Sequence, residues 1–336
     1  MAIKIDGNFV CIGGFCFCET PTGIQFDGEA QSTLFCDTRG FQGEVSGYIP
    51  GSSGNDTIEK FPFSSDTNST DVGELTQARA ATGQSSNVSG YSSGGSTAPS
   101  PSNVAVNTID KFPFSSDTNA SDVGNLFQAK ANTRGQSSKA QGFGYTSGGY
   151  FPTITTLVNT IDKFPFAADT NGTDVGELTQ ARRHAAGQSS TESGYTSGGR
   201  FPSPSGQVNT IDKFPFSTDA PATDVGNLTV SRGFLGSGQS STTHGYSSGG
   251  FSPSSNVIDK FSFAADGNAT DVGNLTLTRL VMSEQSSTTF GYSSGGTATP
   301  APVYDVIDKH PFSSDTNATD VGELLTPKSA QGGQQI

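Results

Sequence analysis

The 336-residue chain has no tryptophan, only two methionines and three histidines, and all four of its cysteines (Cys11, Cys16, Cys18, Cys36) precede residue 37. Everything after that point is therefore stable without disulfides or thiolate-bound metal. Helical periodicity is absent, and no apolar run approaches the length of a membrane span. The opening Met-Ala-Ile-Lys-Ile-Asp-Gly lacks the apolar stretch of a secretory signal. This fits a product made in the cytoplasm, including a virion protein displayed outside later. Positive charge is scarce: 18 Lys and Arg against 31 Asp and Glu give a net −13. Binding to nucleic acid or to an anionic membrane surface, which needs a basic face, is disfavoured. Only 32% of residues are hydrophobic, a composition that edges toward disorder. The 24 phenylalanines and the fixed spacing of apolar positions argue the other way.

What the chain does have is an internal repeat. Ile-Asp-Lys-Phe-Pro-Phe begins at Ile109, Ile161 and Ile211, with near-copies at Ile58, Ile258 and Ile307. Each is followed by Asp-Val-Gly-(Glu/Asn)-Leu and then by a basic residue: Arg79, Lys130, Arg182, Arg232, Arg279 or Lys328. This half of the repeat keeps one length in all six copies. The other half reads Gln-Ser-Ser, then Gly-Tyr-(Ser/Thr)-Ser-Gly-Gly, around Tyr91, Tyr145, Tyr195, Tyr246 and Tyr292. A worn sixth version runs from Arg39 through Tyr48.

Each repeat divides into four short strands. Small residues around Gln-Ser-Ser suit a crowded innermost strand, and Gly-Tyr-x-Ser-Gly-Gly makes a second that ends in a glycine pair. Ile-Asp-Lys-Phe-Pro-Phe alternates with period two as a half-buried third strand, with its proline near an end. Val-Gly-x-Leu through the basic residue makes the outer one. Six units of four strands predict an all-β, six-bladed β-propeller over 39–328, preceded by a β segment over 1–38 and followed by a flexible tail over 329–336. Both halves of the first blade lie together in sequence, so the ring needs no strand exchange between the termini.

The order of features (basic residue, small polar strand, Tyr before Gly-Gly, apolar strand, outer strand) resembles kelch repeats. The polar, near-identical, tryptophan-free copies are similar to kelch-like repeats in virion structural proteins of marine tailed phages. That resemblance implies a non-enzymatic structural or interaction protein on a phage head or tail. Its expected partners are other virion proteins and a host-surface glycan or protein, within an oligomeric assembly. A cellular or extracellular kelch-like adaptor binding carbohydrate or protein is the alternative.

Length varies only outside the constant half, most of all between Gly-Gly and the next Ile. Those loops carry Tyr150, Phe151, Arg200, Phe201, Phe251 and Tyr304, residue types that anchor interfaces. In a propeller they emerge on one face, either as a binding surface or as plain connections with Phe151 and Phe201 tucked beneath their blades. The Asp/Asn-rich turns could ligate Ca²⁺, yet Asp and Asn turn chemistry explains them equally, and Pro221 interrupts one copy. The same chemistry accounts for Asn68, Asn119, Asn171, Asn268 and Asn317 in their sequons. The Asp-Lys dipeptides and the conserved-by-repeat basic residues read as solvated or inter-blade charge pairs. Cys11, Cys16, Cys18 and Cys36 are buried thiols, a disulfide or a zinc site. His184, His244 and His310 occupy unlike repeat positions, so no metal trio or catalytic constellation is legible.

Overall fold

The computed structural model describes residues 41–97, 104–151, 156–201, 206–299, 301–329 and 332–336, together with the backbone of three strands before them. Those three, Ile3–Asp6, Phe9–Ile12 and Phe15–Cys18, form an antiparallel sheet within a unit spanning 1–39. The expected β segment is thus present. The side chains of Cys11, Cys16 and Cys18, and all of Cys36, lie outside the described residues.

Residues 40–336 are the second unit. It comprises six four-stranded antiparallel sheets. Their innermost strands touch in succession and close a ring, giving the six-bladed β-propeller. Blade 2 is representative, with strands Ala80–Ser85, Ser89–Ser96, Thr108–Pro113 and Ser121–Asn125 from the axis outward. The proline closes the third strand there and in every copy that has one, because it can donate no ladder hydrogen bond. The outer strand is shorter than its sequence suggests. It stops before the leucine (Leu75, Leu126, Leu178, Leu228, Leu275, Leu324), which turns inward and is buried. The basic residue beyond it turns inward as well.

Two expectations about the termini are overturned. Gln334–Gln335 is not tail but the innermost strand of blade 1, paired with Ser46–Ser52 in the register Gln334↔Tyr48. Both glutamines are fully buried. The ring is closed by exchange between the two ends of the propeller, and the Gln42 region serves another purpose. Gln42 donates from Nε2 to Ser240 O (2.7 Å), Gly43 N–H reaches Ser286 O (2.8 Å), and Lys139 Nζ reaches Gln42 O (3.1 Å). Phe41–Gly43 therefore lies across one mouth of the axis.

No blade has a core of its own. Each of the six apolar clusters straddles a blade boundary, as when Tyr48, Ile58 and Leu75 of blade 1 meet Phe112 and Phe114 of blade 2. The repeat's tyrosine lies on the next blade's second phenylalanine at centroid distances of 4.7–4.9 Å in all six interfaces. At the axis, the innermost glutamine of each blade (Gln84, Gln136, Gln188, Gln239, Gln285, Gln334) donates from Nε2 to the backbone carbonyl of the next blade's tyrosine at 2.7–3.0 Å. Glycine precedes five of these glutamines because the strands leave no room for more. A Cβ at Gly135 would strike the carbonyl of Gly83.

Candidate functional site

Strand direction alternates from the axis outward, so the loops sort by face. The first-to-second and third-to-fourth turns share one face, which also receives Phe41–Gly43. The length-variable Gly-Gly loops and the connections between blades share the other.

On the constant face the repeated turns are occupied by their own scaffold. Their aspartates (Asp66, Asp117, Asp169, Asp219, Asp266, Asp315) each pair with the lysine of the preceding blade at 2.5–3.0 Å, Lys309 to Asp66 completing the circle. Asn68, Asn119, Asn171, Asn268 and Asn317 accept the outer-strand N–H of the preceding blade at 3.0–3.2 Å. At Pro221 that bond is missing, and Ala222 N–H to Glu177 O (2.8 Å) holds the turn. These residues stitch blades together. Among the described residues, no group of three or more His, Cys, Asp or Glu is placed to hold a metal ion. A shallow depression of about 430 Å³ opens on this face around Thr242, Thr243, Thr288 and Thr289.

A second, buried ring lies toward the variable face. Arg79–Asp110, Lys130–Asp162, Arg182–Asp212, Arg232–Asp259, Arg279–Asp308 and Lys328–Glu59 bridge successive blades at 2.6–3.2 Å, every partner almost fully buried. The charge pairs read from the repeat are therefore inter-blade, and this set is not solvated. Burial lowers the basicity of Lys130, Arg182, Arg232 and Arg279, which the facing carboxylates oppose.

Where the variable face meets the axis, sixfold sameness ends. After four of the six basic residues the next residue forms an isolated bridge to the residue after a Gly-Gly pair: Ala131↔Tyr150, Arg183↔Arg200, Gly233↔Phe251 and Leu280↔Thr297. One residue further, Asn132, His184, Phe234 and Val281 all take left-handed φ of 54–56°. They are linked around the axis by hydrogen bonds from His184 N–H to Asn132 O and from Val281 N–H to Phe234 O. Backbone geometry is constant here while the side chains differ entirely.

Three of the loop residues singled out from sequence meet in this belt. Tyr150 lies 4.2 Å beneath the Arg183 guanidinium, Arg200 stands 4.9 Å over Phe234, and Phe251 meets Phe234 edge-on at 6.2 Å. His184 packs on Phe234 at 4.2 Å. None of the six candidates is exposed: Tyr150 is buried, and Phe151, Arg200, Phe201, Phe251 and Tyr304 are part-covered. Phe151 pairs with Thr156, Phe201 N–H closes a turn to Gly206 O, and Tyr304 sits in blade 6 bonded to Gly296, so these three stand apart from the belt. Arg183, His184 and Phe234 were not among the candidates, though their signal was in the sequence. Between basic residue and glutamine the first complete copy carries only small residues, Ala80-Ala81-Thr82-Gly83, whereas these copies read Arg183-His184 and Gly233-Phe234.

Deeper on the same side, Arg134 and Glu284 are fully buried near the axis. Glu284 accepts hydrogen bonds from Gly238 N–H and the Ser248 and Ser293 hydroxyls. Burial nevertheless pushes its carboxyl up to about 7. Burial brings Arg134 down to about 10, and the Glu284 carboxylate opposes that fall. No protein-family model matches the chain, and no curated protein matches its sequence.

Proposed function

We propose that this chain is a non-enzymatic interaction module of the kelch-like kind, in which a rigid sixfold scaffold displays the variable face to a partner. The observation that carries the reading is the ring of bridged positions. One backbone geometry holds Ala131/Tyr150, Arg183/Arg200, Gly233/Phe251 and Leu280/Thr297 in turn, so the bridge itself does not dictate which side chains stand there. Variation on a fixed frame is the usual arrangement of a recognition surface. Phe41–Gly43 lies across the opposite mouth, leaving the variable face clear of that segment. By its resemblance, the module belongs on the head or tail of a phage particle, attached through its N-terminal segment and contacting a host surface glycan or protein, or a neighbouring subunit. No cofactor enters the reading.

Two measurements test it. Mass spectrometry of purified particles should find the chain, and its absence would remove the virion assignment. Replacing the part-exposed Arg200 and Phe251 side chains together with alanine should abolish capture of host envelope material while circular dichroism and a cooperative thermal transition show the propeller still folded. Capture undiminished in that variant would sink the binding-face reading.

A further inference from the structure

Twelve of the chain's 18 Lys and Arg belong to its two ionic rings, six in the buried set and six in the exposed one. Arg183 and Arg200 stand outside both. They sit opposite one another as a bridged pair, each backbone N–H donating to the other's carbonyl (3.2 and 2.9 Å). Neither has a carboxylate partner among the described residues, and the buried Nε of each lacks a hydrogen bond. Like charges held side by side and partly out of water repel, and Arg200 indeed lowers the basicity of Arg183, second only to burial. The carboxylate of Glu284 acts on Arg134, Arg232 and Arg279 rather than on Arg183.

The scaffold does not require this arrangement, because the equivalent bridges form with alanine and tyrosine, glycine and phenylalanine, or leucine and threonine. Tyr150 lies under the Arg183 guanidinium and also shares a hydrogen bond with it, and Phe234 lies under that of Arg200, so the rings hold both side chains in place, while a guanidinium has five N–H donors and Tyr150 engages only part of Arg183's set. Beside them stands the Nδ1 of His184, a residue only 7% exposed, which is also without a partner. Burial and the three arginines Arg134, Arg183 and Arg200 keep that ring neutral, so it adds a polar atom and no further charge.

We infer that Arg183 and Arg200, with His184 beside them, form a binding site for one oxyanion group (carboxylate, sulfate or phosphate) on the variable face of this otherwise acidic molecule. An anion there would answer both arginines through charge-assisted hydrogen bonds and relieve their repulsion. The inference deepens the binding-face reading and rests on it only for the anion's carrier, which could be a uronate, a sulfate ester or a phosphate of a surface polymer.

The test is isothermal titration of the full chain at low ionic strength with glucuronate, inorganic sulfate and inorganic phosphate in turn. At least one should bind saturably with one site per chain, and the preferred ion identifies the carrier chemistry. Arg183→Gln and Arg200→Gln should each weaken it about tenfold or more, the scale of one charge-assisted hydrogen bond. Lys213→Gln, in the exposed ring, should not. Since the two arginine variants remove a like-charge contact, their melting temperatures should hold or rise, which separates lost binding from lost folding. No saturable binding by any of the three ions, or equal affinity in both variants, would overturn the site. Titration with small ions succeeds or fails independently of whether envelope material is captured.

Discussion

Glu284 stands where five other innermost strands carry glycine (Gly83, Gly135, Gly187, Gly238 and Gly333), and its carboxyl is pushed up to about 7 from 4.5. A second departure from the repeat, His310 in place of phenylalanine, is buried against Tyr246 and pushed down to about 4 from 6.5. The two act in opposite senses. Folded Glu284 holds its proton more tightly than unfolded, so its contribution is complete below about pH 4.5 and is lost as pH rises toward 7. Folded His310 resists its proton, so its contribution is present above about pH 6.5 and is lost as pH falls toward 4. Each span is worth roughly 3 kcal/mol, and in the native chain they largely mask one another. Relative to the native chain, Glu284→Gln should gain stability as pH rises from 4.5 to 7, and His310→Phe should gain it as pH falls from 6.5 to 4. Urea midpoints at pH 4, 5.5 and 7 for all three proteins decide the matter, and two flat differences would show that neither group titrates as its burial demands.

Neighbouring residues on one strand show how differently the two ionic rings act. Asp110 pairs with Arg79 in a place both partners share with no water, while Lys111 reaches Asp169 at the surface. Cutting a buried pair strands the surviving charge and costs about 3–5 kcal/mol. Cutting an exposed one costs less than about 1 kcal/mol. Denaturant midpoints of Asp110→Ala and Lys111→Ala should therefore fall far apart, and equal losses would refute the distinction. The buried ring also explains a detail of the repeat. Where the base is arginine, the threonine three residues earlier (Thr76, Thr179, Thr229, Thr276) donates both N–H and hydroxyl to the same aspartate. Where it is lysine, Phe127 or Leu325 replaces that threonine and projects into solvent. Lys130 instead brings in the Thr160 hydroxyl, and Glu59 receives Ser69. The residue at one element's end and the base that follows it vary together because they serve one carboxylate.

For the molecule as a whole, blade number and strand order were legible because each copy repeats the same alternation, from Ile58 through Ile307, and counting needs no tertiary knowledge. The loop residues Tyr150, Arg200 and Phe251 could be chosen for the same reason, as departures between constant segments. Their partners Arg183, His184 and Phe234 lie on connections that come beside those loops only once successive blades dock, so sequence proximity could not point to them. Ring closure escaped for a related cause. Gly332-Gly333-Gln334-Gln335 lacks the serine that usually follows the innermost glutamine, and Arg39–Gln42 imitates the missing half-repeat. Yet Lys328 precedes Gln334 by six residues, as Lys130 precedes Gln136 and Arg182 precedes Gln188. The closing strand has a definite mechanical role. Gln334 donates to Tyr91 O, Gln335 N–H to Ser85 Oγ, and Gln335 Nε2 to Phe41 O, joining blade 1 to blade 2 and to the segment across the axis. Because no blade owns a core, opening one boundary exposes the faces on both sides of it. Deleting 332–336 should therefore lower stability by several kcal/mol, more than the roughly 1 kcal/mol of any single hydrogen bond lost, and should make the chain bind the hydrophobic dye ANS. The Gln335→Ala chain, which keeps the closing strand and loses only the Gln335 side-chain bond, should stay near the native midpoint. A truncated chain that melts with the native one would mean the other five boundaries hold the ring without its sixth.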